Sequence, residues 1–134
     1  MIVLDASAWV RSLVDAGPAG AAARATLTND PVWAAPAHMP IEVLRTIRRY
    51  ESARIIDTEQ ADAFAAQVSG AEVRYAQPEG WMLGAIWRRR HNISPYDAAY
   101  VALAGYYDVP LVTLDERLAK AAAAAGVTAT VPRT

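Results

Sequence analysis

The stretch 2-IVLDASAWVRSLVDAG-17 joins a short apolar run to an amphipathic segment, with a single acid between them. The apolar run is typical of a buried strand that ends at Asp5. In the second part, apolar residues recur at helical spacing until a Gly-Pro pair breaks the pattern. The stretch therefore predicts a strand followed by a helix, with Asp5 at the junction.

Strand and helix patterns alternate through the rest of the chain. Further strands are predicted in VWAAP (32–36), EVRYA (72–76), PLVTLD (110–115) and VTATV (127–131). Helices are predicted in AGAAARATLTN (19–29), from Pro40 to about Ile55, in TEQADAFAAQVSG (58–70) with Thr58 as its cap, in GWMLGAIWRRRHN (80–92), in SPYDAAYVALAGYY (94–107) and in ERLAKAAAAAG (116–126). Strands that alternate with helices form a mainly parallel sheet covered on both faces. We therefore predict a three-layer α/β/α fold, in a single domain over residues 1–134.

The composition excludes several classes of protein. The chain has 134 residues, of which 54% are hydrophobic and 20% charged, as in an ordinary globular domain. It contains no cysteine, which excludes disulfides and thiolate metal sites, and no apolar run reaches the roughly 18 residues of a membrane-spanning helix. The first residues lack the pattern of a secretory signal, so the cytoplasm is the expected compartment. The formal charge of −1 does not indicate a nucleic-acid partner, which only local patches could reveal.

Four acids stand where strands end and helices begin. Asp5 and Asp115 close apolar strands, and Glu42 and Asp97 lie in the first turns of helices. Ligands of open α/β sheets bind in the crevice at this edge of the sheet. Each acid also has a simpler interpretation, because carboxylates cap helices and interact favourably with the helix dipole.

Asp97 shows this ambiguity most clearly. Ser94 is a typical helix cap, Pro95 suits the first helical position, and an acid three residues after the cap completes a capping box. The alternative is that Asp97 belongs to a cluster with the other three acids. Two carboxylates about 4 Å apart repel by roughly 4 kcal/mol at an effective dielectric of about 20, so such a cluster needs a cation. Magnesium or manganese suits oxygen ligands and keeps waters for substrate phosphates.

The segments MIVLDASAW, APAHMPIEVLRTIRR, SPYDAAYVALA and LVTLDERLAKAA together resemble the PIN-domain family, and within it the VapC-type ribonuclease toxins of bacterial toxin-antitoxin pairs. The resemblance covers nearly the whole chain, in the family's order. It implies a PIN-like fold and a metal-dependent endoribonuclease. In such an enzyme the catalytic acids around Mg²⁺ or Mn²⁺ would be Asp5, Glu42, Asp97 and Asp115, with Glu116 as the alternative to Asp115. It also implies that a metal-activated water cleaves RNA to leave a 5′-phosphate and a 3′-hydroxyl.

The resemblance carries further expectations. Ser7 and Thr113 match the small hydroxyl residues that flank the first and last acids in the family, although ordinary helix-start and strand-end hydroxyls are an equal alternative. The partners of this family are a small antitoxin that wraps the toxin, an RNA substrate and often a second copy in a homodimer. No membrane partner is implied.

Cations near the acids would bring RNA to them. Arg45, Arg48 and Arg49 follow Glu42 on one predicted helix, and the arginine run 88–90 ends another. Both groups could contact phosphates, and solvated helix faces are the alternative for both.

The aromatic and histidine residues carry less information. The four tryptophans are expected mostly in the core, although Trp9, close to Asp5, could face a base or a partner. His38 and His91 are interpreted as structural or surface residues rather than ligands.

Three rival interpretations of the acids can be compared with the sequence, of which the first is disfavoured. A haloacid-dehalogenase-like phosphatase also begins with a strand that ends in Asp, but it needs a second acid two residues later, where this chain has Ser7. A phosphoreceiver domain needs a lysine on a late strand, whereas the only lysine, Lys120, lies in a predicted helix. In an inert α/β interaction domain, the acids would be helix caps alone.

Overall fold

The computed structural model describes residues 1–134. Its strands are β1 (Ile2–Leu4), β2 (Trp33–Pro36), β3 (Arg74–Ala76), β4 (Leu111–Val112) and β5 (Ala129–Thr130). Its helices are α1 (Ala6–Val14), α2 (Pro18–Thr28), α3 (Met39–Ser52), α4 (Thr58–Gly70), α5 (Gly80–Arg88), α6 (Pro95–Tyr107) and α7 (Glu116–Ala124).

The five strands form one parallel sheet in the order β3-β2-β1-β4-β5. The chain moves outward from β1 through β2 to β3, and then returns to the other side of β1 for β4 and β5. This reversal of strand order beside β1 is the place where α/β sheets form a crevice at the carboxyl ends of their strands. The predicted α/β fold with a central, mainly parallel sheet is confirmed, and Asp5 leaves the middle of the sheet.

Helix α6 is the most buried helix of the protein. Every residue from Ala98 to Ala104 is buried, because α6 packs against β1, β2 and β4 and also contacts α5 and α7. This location explains why its sequence is apolar on nearly every side. It also anchors the beginning of α6, and Asp97 with it, at the crevice.

Local details differ from the sequence-based expectations. Helix α4 is capped by Asp57 and not by Thr58, since the Asp57 carboxylate accepts the Gln60 N–H and the Gln60 side chain accepts the Asp57 N–H. Helix α5 ends at Arg88, four residues earlier than expected, and turns lead from it to α6. Strand β4 has only two residues, so Asp115 follows it as the cap of α7 and is not the last strand residue.

The tryptophans divide between core and surface. Trp9 is buried and packs edge-to-face on Trp33 with 6.0 Å between ring centroids, so it does not present its ring to a base or a partner. Trp81 and Trp87 are exposed, and the expectation that they lie in the core is wrong for both. Trp81 stacks on Tyr106 of α6 with 4.2 Å between ring centroids, and Trp87 lies under the Arg90 guanidinium.

The helices are short for a lipid bilayer. None combines the length and the apolar character that a membrane-crossing segment requires.

Candidate active site

Asp5 is the most deeply held of the four acids. It follows β1 and caps α1, where its Oδ1 accepts the Ala8 N–H at 3.0 Å and the Ser7 hydroxyl at 2.7 Å. Its Oδ2 accepts the Thr113 hydroxyl. Burial raises the pKa of Asp5 to about 6, although the three hydrogen bonds lower it in part. The charge of Asp115 adds to the increase in pKa. The carboxyl of Asp5 therefore becomes protonated at a higher pH than an ordinary aspartate does.

The two flanking hydroxyls join the first helix to the last strand. Besides their bonds to Asp5, Ser7 Oγ accepts the Leu114 N–H at 3.0 Å and Thr113 Oγ1 accepts the Asp115 N–H at 2.9 Å. The structure therefore places Ser7 and Thr113 directly behind Asp5, where they fix its carboxylate and the turn that carries Asp115.

Asp115 caps α7, as the capping interpretation expected. Its Oδ1 accepts the backbone N–H groups of Arg117 at 2.9 Å and Leu118 at 3.2 Å. The neighbouring Glu116 is exposed and pairs with Arg133 at 3.2 Å. Of these two acids, only Asp115 lies in the crevice beside Ser7 and Glu42.

Glu42 lies in the first turn of α3 and is held by side chains alone. Its Oε1 accepts the Tyr100 hydroxyl at 2.7 Å, and His38 Nε2 lies 3.2 Å from the same oxygen. Burial alone would raise the pKa of Glu42, but the contacts with His38 and Tyr100 lower it below its ordinary value, and the charge of Arg45 adds to the decrease. Glu42 is therefore ionised at neutral pH.

Asp97 lies in the first turn of α6 and is partly buried. Its N–H donates to Ser94 Oγ at 3.2 Å, but the Asp97 carboxylate does not accept the Ser94 N–H in return. The capping box expected at this position is therefore only half formed. Burial raises the pKa of Asp97, and the charges of Asp115 and Glu42 raise it further, against smaller opposite effects of Ser94 and Arg117.

Two depressions open on three of these acids, whereas Asp5 is buried and lines neither. The first, of about 950 Å³, lies between α1, α3 and the β4-α7 turn and includes Glu42 and Asp115 in its wall. The second, of about 540 Å³, lies between the beginnings of α3 and α6 and includes Glu42 and Asp97. Glu42 and Arg45 line both, so they form the ridge between the two depressions.

The donor chemistry of this edge fits a hard divalent cation. Asp5, Glu42, Asp97 and Asp115 supply only carboxylate oxygens, and no lysine or arginine forms an ion pair with any of them. As the side chains stand, no group of three or more Asp, Glu or His residues is arranged to hold a metal ion. The electrostatics show why a cation would be favourable, since burial and then the charges of Asp115 and Glu42 raise the pKa of Asp97 and so disfavour its ionised form.

The predicted arginines divide by helix face. Arg45 and Arg49 line the larger depression, because they follow Glu42 by three and seven residues on α3, whereas Arg48 lies outside its wall. Arg11 also lines this depression and pairs with Asp15 at 3.5 Å, a contributor that the sequence-based search missed. Its position four residues after Ser7 on α1 was the available signal.

The arginines that end α5 lie elsewhere. Arg90 stacks over the exposed Trp87 ring, with its guanidinium carbon 4.6 Å from the ring centroid. Arg89 donates to the Ala85 carbonyl at 3.2 Å. None of residues 88–90 lines either depression, so the structure does not bring this group to the acids.

Comparison with known proteins adds the family context. A family model described as the PIN domain matches residues 2–124. Ribonuclease VapC12 of Mycobacterium tuberculosis is 36% identical over 124 residues, which are 90% of this chain and 91% of the relative. Ribonuclease VapC1 of the same organism is 38% identical over 120 residues, 89% of each chain. The solved structure of Mycobacterium tuberculosis VapC20, described as a toxin that cleaves the sarcin-ricin loop, matches with a TM-score of 0.70 at 18% identity, over 90% of this chain and 95% of that one.

Proposed function

The chain belongs to the PIN-domain family, among its VapC ribonucleases, and we propose that it is the endoribonuclease toxin of a toxin-antitoxin pair that cleaves RNA with Mg²⁺ or Mn²⁺. The ion would be held by Asp5, Glu42, Asp97 and Asp115. The single observation that supports this assignment is the position of four carboxylates at one edge of the sheet, none of them paired with a lysine or an arginine. Glu42, Asp97 and Asp115 line the two depressions, and Asp5 lies buried at the start of α1. The phosphoreceiver and the inert interaction domain are not favoured, because the family match and the similar curated relatives are those of VapC ribonucleases.

The four acids have different parts in this proposal. Asp5 is the fixed acid, because three hydrogen bonds leave its carboxylate little freedom. Asp115 commits Oδ1 to the cap of α7 and keeps Oδ2 for a ligand. Asp97 has no partner that commits it to the helix, so it adapts to the ion. When bound, Mg²⁺ or Mn²⁺ would supply an activated water and stabilise the charge that develops on the phosphodiester.

RNA would reach the acids along the larger depression. Arg45 and Arg49 lie in its wall and would bind backbone phosphates, which offsets the repulsion between the carboxylates and a polyanion. Arg48 was expected to do the same from the sequence, and its location outside the wall makes it the matched control. Arg49→Ala should weaken RNA binding for all sequences and lower the salt slope by about 0.7. Arg48→Ala should change the salt slope less. Equal salt slopes for both variants would mean that Arg49 does not contact phosphate and lies on a solvated face of α3.

The partners follow from the same family assignment. We propose that one domain over residues 1–134 binds RNA and a small antitoxin protein, forms a homodimer and acts in the cytoplasm. Exposed apolar side chains such as Ile41, Leu83 and Tyr96 are compatible with protein partners. Size-exclusion chromatography with light scattering, with and without a candidate antitoxin, measures both associations.

The decisive experiment measures cleavage and metal binding on the same preparation. Antitoxin-free protein is incubated with single-stranded and looped RNA in Mg²⁺, in Mn²⁺ and in excess EDTA, and Mn²⁺ binding is titrated by calorimetry in the absence of RNA. We expect cleavage only with a divalent ion and a saturable Mn²⁺ isotherm that Glu42→Gln weakens strongly. Cleavage that persists undiminished in EDTA would overturn the metal-dependent mechanism.

A further inference from the structure

The hydroxyl of Tyr100 is a buried polar group that packing alone does not require. The ring is 2% exposed inside α6, where a phenylalanine would fill the same space. Its hydroxyl instead spans 58 positions of sequence and donates to Glu42 Oε1 at 2.7 Å. A hydrogen bond to a carboxylate is stronger than one to a neutral acceptor, so this contact links α6 firmly to α3.

Glu42 needs such a contact more than the capping acids do. Backbone N–H groups hold Asp5 and Asp115, whereas the Glu42 carboxylate accepts no backbone N–H. It also has the longer side chain, with one more rotatable bond to restrict. Without a partner, its carboxylate would sample several rotamers in the ridge between the two depressions.

The neighbouring histidine does not replace the tyrosine. His38 Nε2 lies 3.2 Å from Glu42 Oε1, but the pair does not have the geometry of a hydrogen bond, and this buried nitrogen has no other partner. The His38 ring packs edge-to-face on Tyr100 with 5.3 Å between centroids. His38 therefore supports the Tyr100 ring and closes one side of Oε1, while the Tyr100 hydroxyl supplies the directed bond.

We propose that Tyr100 is a positioning residue of the metal site, which fixes Glu42 through Oε1 and leaves Oε2 as the preset ligand oxygen. The inference rests on the proposed function, since it assigns Glu42 to the divalent ion. The buried Tyr100 hydroxyl is the donor of this bond, and Glu42 Oε1 is the acceptor. Tyr100 touches neither the ion nor the substrate in this arrangement.

The test combines Tyr100→Phe with Glu42→Gln in a double-mutant cycle, with Tyr107→Phe as the matched control on the same helix. The primary measurement is Mn²⁺ affinity of the RNA-free protein by calorimetry, and thermal melts in EDTA check that each variant is folded. We expect Tyr100→Phe to weaken Mn²⁺ binding by about 10-fold to 100-fold, as partners of metal ligands typically do, and Tyr107→Phe to leave it unchanged. In steady-state cleavage, kcat of Tyr100→Phe should fall at limiting Mn²⁺ and recover at high Mn²⁺, with KM for RNA unchanged.

The cycle separates positioning from core packing. Because Tyr100 acts through Glu42, adding Tyr100→Phe to Glu42→Gln should cause no further loss of Mn²⁺ affinity. A further loss of the same size in that background would overturn the inference and indicate a general effect of the core. Wild-type affinity in Tyr100→Phe together with a strong loss in Glu42→Gln would also overturn it, while leaving the proposed function intact. Wild-type affinity in Glu42→Gln itself would overturn both.

Discussion

Helices α4 and α6 both begin with residues that can form a capping box, but only α4 forms it completely. Each has a capping residue followed three positions later by a side chain that can close a capping box, Asp57 with Gln60 in α4 and Ser94 with Asp97 in α6. At α4 the box is closed by bonds of 2.7 Å and 2.9 Å. At α6 only the bond to Ser94 Oγ forms, at 3.2 Å, and the Asp97 carboxylate remains uncommitted.

The difference shows that place in the fold, and not local pattern, decides what an acid does. Helix α4 begins at an exposed position that packs on α3, so its box serves only the helix. Helix α6 begins at the crevice, where Glu42 and Asp115 are close enough to raise the pKa of Asp97. The Asp97 carboxylate is repelled by these neighbouring charges and does not stabilise the helix through a second capping bond. A bound cation would offset this repulsion, which is the physical reason to expect one.

The largest difference should appear when Asp is changed to Asn at the start of α6 and at the start of α4, and the RNA cleavage rates of the two variants are compared. Asp97→Asn removes a charge from the crevice and should lower metal-dependent RNA cleavage by about 100-fold or more, because even partners of metal ligands contribute about 10-fold to 100-fold. In EDTA the variant should be as stable as wild type or more so near neutral pH, since repulsion has been relieved. Asp57→Asn keeps a good cap and should leave both quantities unchanged. Initial cleavage rates and urea unfolding of both variants measure this.

A destabilised but fully active Asp97→Asn protein would remove the contrast between the two helices. It would mean that the carboxylate closes the box of α6 in solution and that the acid serves the helix alone.

The next effect concerns Asp5, which caps α1 and is buried beside Ser7 and Thr113. Its pKa is raised from 3.8 to about 6, so between these values the folded protein retains a proton that the unfolded chain has lost. The ionisation of Asp5 should therefore lower the stability of the metal-free protein by about 3 kcal/mol as the pH rises through this window, when 1.36 kcal/mol per pKa unit is applied. Comparison with Asp5→Asn isolates this contribution from those of the other acids. Urea unfolding in EDTA from pH 4 to pH 7 measures the slope. Asp5→Asn should flatten it, and equal slopes in the two proteins would refute the assignment to Asp5.

The sequence predicted the parallel sheet well, because the alternation of strands and helices determines it. The four acids follow strands or begin helices as expected, but their convergence on one metal ion stays a prediction. The sequence did not predict which carboxylate oxygen of each acid accepts a hydrogen bond and which oxygen remains free. Thr58 and Asp57 are both good caps, and the difference between them depends on where the chain enters α4. The contact from Tyr100 to Glu42 joins two helices far apart in sequence, so no local pattern contains it.

A smaller effect, on stability alone, should follow when the capping box of α4 is disrupted. Asp57→Ala removes the acceptor of the Gln60 N–H and should destabilise the protein by about 1 kcal/mol, as capping residues do. RNA cleavage should not change, since α4 has no residue in either depression. The midpoint of urea unfolding gives the stability, and Asp57→Asn serves as its control. A loss of cleavage at full folding would show that α4 affects the site and that the two helix starts are not independent.

The smallest effect should come from Ser94→Ala, which removes the one capping bond that α6 has. The bond is longer than its counterpart in α4, and no reciprocal bond accompanies it. Pro95 already sets the first helical position, and the buried run Ala98–Ala104 holds α6 through tertiary packing, which contributes more to a helix than its end does. We therefore expect a loss of about 0.5 kcal/mol, at the low end for a helix cap and below that of Asp57→Ala. Ser69→Ala, which removes an exposed hydroxyl inside α4, is the control for the substitution itself. If Ser94→Ala proved costlier than Asp57→Ala, the start of α6 would depend on its cap after all, and the freedom ascribed to the Asp97 carboxylate would have to be reconsidered.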